Sequence, residues 1–305
     1  MESDSAADGI AALDRPRAPA LEVVIVTYGG PVAVSNCLRS LQANVLPTID
    51  TVVHVVDNSS PDETPDLIEA EFPWVRLHRR ADNAGFAVAN NQVLRTVVAP
   101  WILVLNPDTE VPSGVIEHLI RSSKAERRIG LLGCRLVQAD GTFDHASKRS
   151  FPSPLDALDY FTPHRRSRSR YLAPHVDENA AGYVDAVNGA FMLVRREALL
   201  DVGLFDEQFW MYGEDLDWCK RFSDRGWSVL YDGRVTVTHL KGASSGKRRG
   251  PFLNWHFHRS MAIFYRKHQS GRYRLVDAFV YAGIGARLVV SMATNAMASW
   301  LGRGR

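Results

Sequence analysis

Three strand-length apolar runs, each stopping abruptly at a polar turn, constrain this chain most. Residues 21–27, 51–56 and 101–105 are dominated by Val, Ile and Leu. They end at Tyr28-Gly29-Gly30-Pro31, at Asp57-Asn58-Ser59-Ser60-Pro61-Asp62 and at Asn106-Pro107-Asp108. Between the first two runs Leu38, Leu41 and Val45 recur at helical spacing. Residues 63–72 and 84–98 read as further helices, with a short strand at 74–77 between them. Apolar strands alternating with helices argue for right-handed βαβ units on a parallel sheet covered on both faces. Such sheets take their ligands outside the carboxyl ends of the strands. Thr27, Asp57 and Asp108 all fall there, and Pro107 cannot prolong a strand inside a sheet.

With 305 residues, 46% of them hydrophobic, the chain buries a large core. Its 36 basic and 34 acidic residues leave a formal charge of +2, too even for a nucleic-acid-binding domain. Cys37, Cys134 and Cys219 are odd in number and lack CxxC spacing. Neither a disulfide framework nor a zinc site is indicated, and a reducing compartment fits. Residues 1–20 carry acids without a charged-then-apolar signal pattern and read as a disordered lead.

The turns carry the chemistry. A carboxylate at Asp57 can accept from a pyrimidine imide N–H, although Asx turns and a helix cap explain the same composition. Asn83-Ala84-Gly85-Phe86 places a glycine at a helix start, where a phosphate or sugar can approach closely. Residues 131–137 form another apolar run, and Asp140-Gly141 signals a hairpin. Residues 184–194 read as a strand with Asn188-Gly189-Ala190 inside it, followed by a short helix. Glu214, Asp215 and Asp217 open another helix, where acids commonly serve as caps.

The order Val26-Thr27-Tyr28, Asp57-Asn58-Ser-Ser, Asn83-Ala-Gly-Phe-Ala, Asn106-Pro107-Asp108 and Tyr212-Gly-Glu214-Asp215-Leu-Asp217-Trp218 resembles family 2 glycosyltransferases, within them the bacterial rhamnosyltransferase-type branch. The resemblance covers residues 21–268. It implies an α/β GT-A fold, with a Rossmann-like, mostly parallel central sheet flanked by helices and a C-terminal helical extension. The implied organisation is a GT-A domain at 21–250, divided into a nucleotide-binding half at 21–110 and an acceptor-binding half at 111–250, followed by helices at 251–305.

The resemblance also implies roles. Thr27, Tyr28, Asp57, Asn58, Asn83, Gly85, Asn90, Asn106 and Asp108 fall on the nucleotide-sugar side. Asp108 holds a divalent cation, Mg²⁺ or Mn²⁺, with His239 as second protein ligand. Many relatives have a second Asp where this chain has Asn106, so no carboxylate pair is expected. Gly189, Trp210, Glu214 and Asp217 fall on the acceptor side, with Asp215 as general base of an inverting, metal-dependent displacement. The expected donor is dTDP-rhamnose or a similar nucleotide sugar. The expected acceptor is a glycan or polyprenyl-diphosphate-linked hydroxyl in cell-envelope polysaccharide synthesis. A non-catalytic sugar-nucleotide or polysaccharide-binding module on the same fold is the alternative, and the complete acidic cluster speaks against it.

Two basic stretches, 164–170 and 241–250, suit an anionic membrane surface or a diphosphate. His256 and His258 stand two apart on a helix and cannot share a metal. Residues 275–301 are largely apolar, yet Asp277, Arg287 and Asn295 interrupt them. An interfacial or docked helix is therefore expected rather than a span, on a protein peripheral to the cytoplasmic face of the cell membrane.

Overall fold

The computed structural model describes residues 18–153, 170–240, 250–271 and 273–302. The expected lead before residue 18 and the basic stretches at 164–169 and 241–249 lie outside the described residues. Strands β1 (Leu21–Thr27), β2 (Thr51–Asp57), β3 (Arg76–Arg79) and β4 (Trp101–Leu105) are joined through helices α1 (Pro31–Asn44), α2 (Thr64–Glu71) and α3 (Phe86–Leu94). They pair in parallel in the order β3-β2-β1-β4. The chain winds outward from β1 to β3 and then returns to the other side of β1. That reversal opens a crevice between the carboxyl ends of β1 and β4.

Every residue of β1 and β4 is buried. Side-chain alternation divides them between two cores. Val23, Ile25, Leu103 and Leu105 join one face, and Val24, Ile102 and Val104 the other.

The second half adds β5 (Thr109–Glu110), α4 (Val115–Ser122), β6 (Ile129–Val137), β7 (Lys148–Arg149), β8 (Ala181–Tyr183), β9 (Ala186–Val187), β10 (Phe191–Arg195), α5 (Arg196–Val202), α6 (Glu214–Asp224) and β11 (Ser228–His239). Strand β10 runs antiparallel between β4 and β6, while β11 runs parallel to β6 and carries β5 and β8 antiparallel. Strands β7 and β9 form a separate pair. The sheet is thus parallel through β3-β2-β1-β4 and mixed beyond it. Helices α7 (Pro251–His268) and α8 (Arg274–Gly302) close the chain.

Three expected boundaries move. The third strand begins at Arg76 instead of residue 74, because Val75 N–H turns back onto Phe72 O at 2.9 Å. The helix expected at 84–98 spans only Phe86–Leu94. Its tail becomes a turn whose Val98 and Ala99 N–H groups both donate to Glu22 Oε1. The strand expected at 184–194 breaks at Asn188, whose Oδ1 accepts from Ala190 N–H at 2.9 Å. This Asx turn replaces a ladder bond. The Asp140-Gly141 hairpin forms as expected, with Gln138 N–H on Thr142 O and a bridge from Val137 to Phe143.

Candidate active site

At the carboxyl ends of β1 and β2, Thr27 lies directly across from Asp57. Both are buried. Asp57 closes an Asx turn, accepting from Ser60 N–H at 3.2 Å and from the Ser60 hydroxyl. Ser60 Oγ in turn accepts from Gly29 N–H at 2.6 Å, and Asp62 Oδ2 accepts from Gly30 N–H at 3.0 Å. The polar loop after β2 therefore shapes the glycine turn after β1. Tyr28, 48% exposed, stands at the mouth of the crevice.

Several residues read as nucleotide ligands are occupied by the protein. Asn58 Nδ2 donates to Asn83 Oδ1 at 2.8 Å and to Gly85 O at 3.3 Å, while its Oδ1 accepts from Ala84 N–H. Asn58 and Asn83 thus staple two loops together. Asn90 has no exposed surface, and its amide donates to Phe86 O at 3.0 Å. Its Oδ1 is buried without a hydrogen bond among the described residues. The space beside Gly85 is also taken. A Cβ there would lie 2.3 Å from Trp210 O, and Phe86 N–H already donates to that carbonyl at 2.8 Å. Gly85 is needed for the approach of Trp210, not of a phosphate, because only glycine fits both its φ of 86° and that contact.

The turn after β4 builds the corner where the sequence placed a metal ligand. Asn106, half-buried, donates its N–H to Ala190 O at 3.0 Å and accepts from Thr109 Oγ1 at 2.7 Å. Strand β5 then pairs His239 with Thr109, and Leu240 N–H donates to Asp108 O at 2.8 Å. This register sets His239 Nε2 3.3 Å from Asp108 Oδ1, with each side chain 8% exposed. The other ring nitrogen, Nδ1, lies 3.5 Å from Asp144 Oδ2. Burial pushes the imidazole down, and the two carboxylates outweigh it, holding it above its ordinary value.

Asp108 and His239 offer one oxygen and one nitrogen to a divalent cation, although no group of three or more His, Cys, Asp or Glu side chains placed to hold a metal is found among the described residues. Asp108 Oδ1 is buried and makes no hydrogen bond among the described residues. Ligands about 2.1 Å from Mg²⁺ at right angles stand about 3 Å apart, close to the observed separation. Asp144 behind His239 is the kind of carboxylate that orients a ligating imidazole. It arrives from the 140–144 hairpin, and no local pattern in the sequence marks it.

The acidic cluster opens α6. Asp215 Oδ2 accepts from Arg149 Nη2 at 2.5 Å and from Gly189 N–H at 3.0 Å; its Oδ1 accepts from Leu216 N–H at 2.7 Å. Arg149 is buried and also donates to Val187 O at 2.6 Å. Pairing of β7 with β9 brings it there, so sequence spacing could not show it. Gly189 holds Asp215 through its N–H, and the next residue, Ala190, holds the Asn106 turn. One loop therefore ties the base candidate to the Asp108 and His239 corner.

Glu214, buried, has Oε2 without a hydrogen bond among the described residues. Burial first, then the neighbouring Asp215 charge, pushes its carboxyl up to about 8. Asp217 departs from the expected acceptor role. It is fully buried and tied to His268 Nε2 and Lys267 Nζ, both at 2.8 Å, and to Arg221 Nε at 2.9 Å. Burial opposes its charge, but His268, Lys267 and Arg221 hold the carboxyl below its ordinary value. Asp217 anchors α7 to α6. Trp210, four residues before Glu214, packs on Gly85 and lies 4.5 Å from the His256 ring and 4.9 Å from that of Phe252.

Residues 22–203 match the model of Glycosyl transferase family 2. The chain is 30% identical over 272 residues to N-acetylglucosaminyl-diphospho-decaprenol L-rhamnosyltransferase of Mycobacterium tuberculosis, covering 83% of this chain and 86% of the relative. It is 26% identical over 235 residues to the O-antigen biosynthesis protein RfbC of Myxococcus xanthus, covering 74% of this chain and 18% of that protein. The mannosyltransferase PcManGT of Pyrobaculum calidifontis, solved with GDP-Man and Mn²⁺, superposes with a TM-score of 0.58 at 17% identity, over 94% of this chain and 76% of its own. That likeness supports a GT-A fold. The family match spans more than half of the sequence, and the mycobacterial relative aligns across most of both chains: this protein belongs to glycosyl transferase family 2 and is a glycosyltransferase.

Proposed function

We propose that the protein transfers a sugar from a nucleoside diphosphate donor to a hydroxyl of a glycan or lipid-linked acceptor in one inverting displacement. L-rhamnose from dTDP-rhamnose is the first donor to try, and a polyprenyl-diphosphate-linked sugar the first acceptor. The rhamnosyl group and the polyprenyl-linked acceptor follow from the activity named for the mycobacterial relative; the dTDP carrier follows from the family resemblance. The observation that carries the reading is the loop joining Asp215 to the Asp108 and His239 corner.

Asp108 Oδ1 and His239 Nε2 would hold the divalent cation, Mg²⁺ or Mn²⁺, with Asp144 orienting the imidazole. When bound, the cation neutralises charge on the diphosphate leaving group. Asp57 and Thr27 shape the nucleobase side of the crevice, Tyr28 covers its mouth, and Asn58 with Asn83 fixes the loop between them. Asp215 acts as base. Arg149 and Gly189 fix its Oδ2, and Oδ1 keeps a lone pair for the acceptor hydroxyl. As that oxygen forms its bond to the anomeric carbon, its proton passes to Asp215, and the bond from the anomeric carbon to the diphosphate oxygen breaks. Glu214, protonated at neutral pH, adds no second negative charge beside the base.

A donor screen over dTDP-rhamnose and UDP- and GDP-sugars with a lipid-linked acceptor tests this. Release of nucleoside diphosphate with an inverted product anomer is expected. Retained configuration, release of pyrophosphate or absence of turnover with every donor would overturn it.

A further inference from the structure

Helix α8 turns most of its polar side chains inward. Its half-buried stripe, which recurs at helical spacing and faces α7, holds Asp277, Arg287, Ser291 and Asn295 beside Val280, Ile284, Leu288 and Met292. Asp277 accepts from the Tyr265 hydroxyl at 2.7 Å and from Gly271 N–H at 3.0 Å, and the Ser291 hydroxyl donates to Asn254 Oδ1 at 3.0 Å. Arg287 and Asn295 are also partnered. Thr294, on the outer side, turns its hydroxyl onto Ser291 O at 3.0 Å. What faces outward is apolar: Leu275 and Phe279 are each 77% exposed, Val289 68% and Val290 62%. An 18-residue window within 274–296 reaches a mean hydropathy of 1.6, yet this window is not buried by the rest of the protein.

A soluble helix turns a polar face to solvent, and an exposed apolar face this long marks a contact surface. Spanning a bilayer would tear Asp277, Arg287 and Ser291 from their partners and leave them in hydrocarbon. Arg259 and Arg266 line the groove beside Tyr281 at the α7–α8 junction, each anchored on Gln208 through one nitrogen. Trp255, 45% exposed, lies under Arg259 at 5.8 Å. This combination of an apolar face, flanking arginines and an interfacial tryptophan matches an anionic lipid surface.

We propose that α8 lies in the plane of an anionic bilayer. Its outer face is sunk to the acyl boundary, and Trp255, Arg259 and Arg266 of α7 sit among the headgroups. Such helices sink about 5–10 Å, and packed helices stand about 8–10 Å apart, so α7 falls at headgroup depth. Asp217 bonds α7 to the catalytic helix, so docking would set Asp215 at a fixed height above the membrane. This last consequence rests on the lipid-linked acceptor proposed above; the membrane contact does not.

Flotation of the full chain with vesicles of phosphatidylcholine, with and without phosphatidylglycerol, tests the inference. Partition into the anionic vesicles is expected, weakened by salt and reduced about fivefold by Arg266→Ala. Phe279→Asp and Ala282→Asp should each lower it at least tenfold, with unchanged circular dichroism and melting temperature. Unchanged partition of both aspartate variants overturns the proposal. So does a soluble dimer, seen by sedimentation, that Phe279→Asp dissolves. Resistance of the bound wild type to alkaline carbonate extraction would indicate a span and overturn the in-plane arrangement.

Discussion

His239 Nε2 lies 3.3 Å from Asp108 Oδ1, although 131 residues separate the two in the chain, because β11 and β5 pair in one register. A one-residue slip of that pairing would turn His239 to the opposite face of the sheet. The site depends on a two-residue strand as much as on its ligands.

Asp108→Ala and His239→Ala are each expected to remove the Mn²⁺-dependent part of nucleoside diphosphate affinity. Asp144→Asn should weaken metal affinity about 10–100-fold while keeping the ligands. Calorimetry with dTDP, with and without Mn²⁺, checks all three; equal affinity in Asp108→Ala and wild type would remove Asp108 from metal binding.

Asp215→Asn should lower kcat about 10²–10⁴-fold with donor affinity retained. Arg149→Met leaves a buried carboxylate without its partner and should cost about 3–5 kcal/mol of stability. The double variant should recover part of that loss. Denaturant unfolding of the four proteins measures the coupling, and strictly additive losses would deny that Arg149 and Asp215 act as a pair.

Glu214 predicts a pH dependence of stability. Its folded carboxyl titrates at about 8, against 4.5 for the ordinary value. Between those values the folded state holds a proton that the unfolded state has released. Stability therefore falls as pH rises through this window, and the loss levels off above pH 8. Relative to Glu214→Gln, the wild type should lose up to about 1.4 kcal/mol per pH unit across the window. Parallel stability profiles for the two proteins would contradict the assignment.

Gly85→Ala forces a Cβ into the Trp210 carbonyl at a φ of +86° and should cost about 2 kcal/mol or more. Gly114, at φ +79° with no atom within 4 Å of its Cβ position, is the control. Its alanine variant should cost about 1 kcal/mol. Thermal melts that rank the two variants the other way would refute the close packing of Trp210 on Gly85.

The parallel half of the fold was legible because its signals are local. Apolar runs reveal strands buried on both faces, and Gly, Pro and Asx residues mark the turns that end them, so β1, β2 and β4 fall where periodicity places them. Asp108 and His239 were legible as separate motifs at strand ends. Only β-pairing decided that they meet, and only the hairpin and the β7–β9 pair delivered Asp144 and Arg149. Asn58, Asn83 and Gly85 show the converse: their types suit a ligand, but tertiary neighbours fill their hydrogen bonds or their space first.

The same division holds for the tail. The sequence by itself determined that α8 is apolar with a few polar interruptions. Which side those interruptions face was decided by α7, whose Tyr265 and Asn254 satisfy Asp277 and Ser291 and so turn the apolar face outward. Hydrophobic pattern is written along the chain. Partner choice depends on which polar groups find each other across it, and that is settled only when the elements pack.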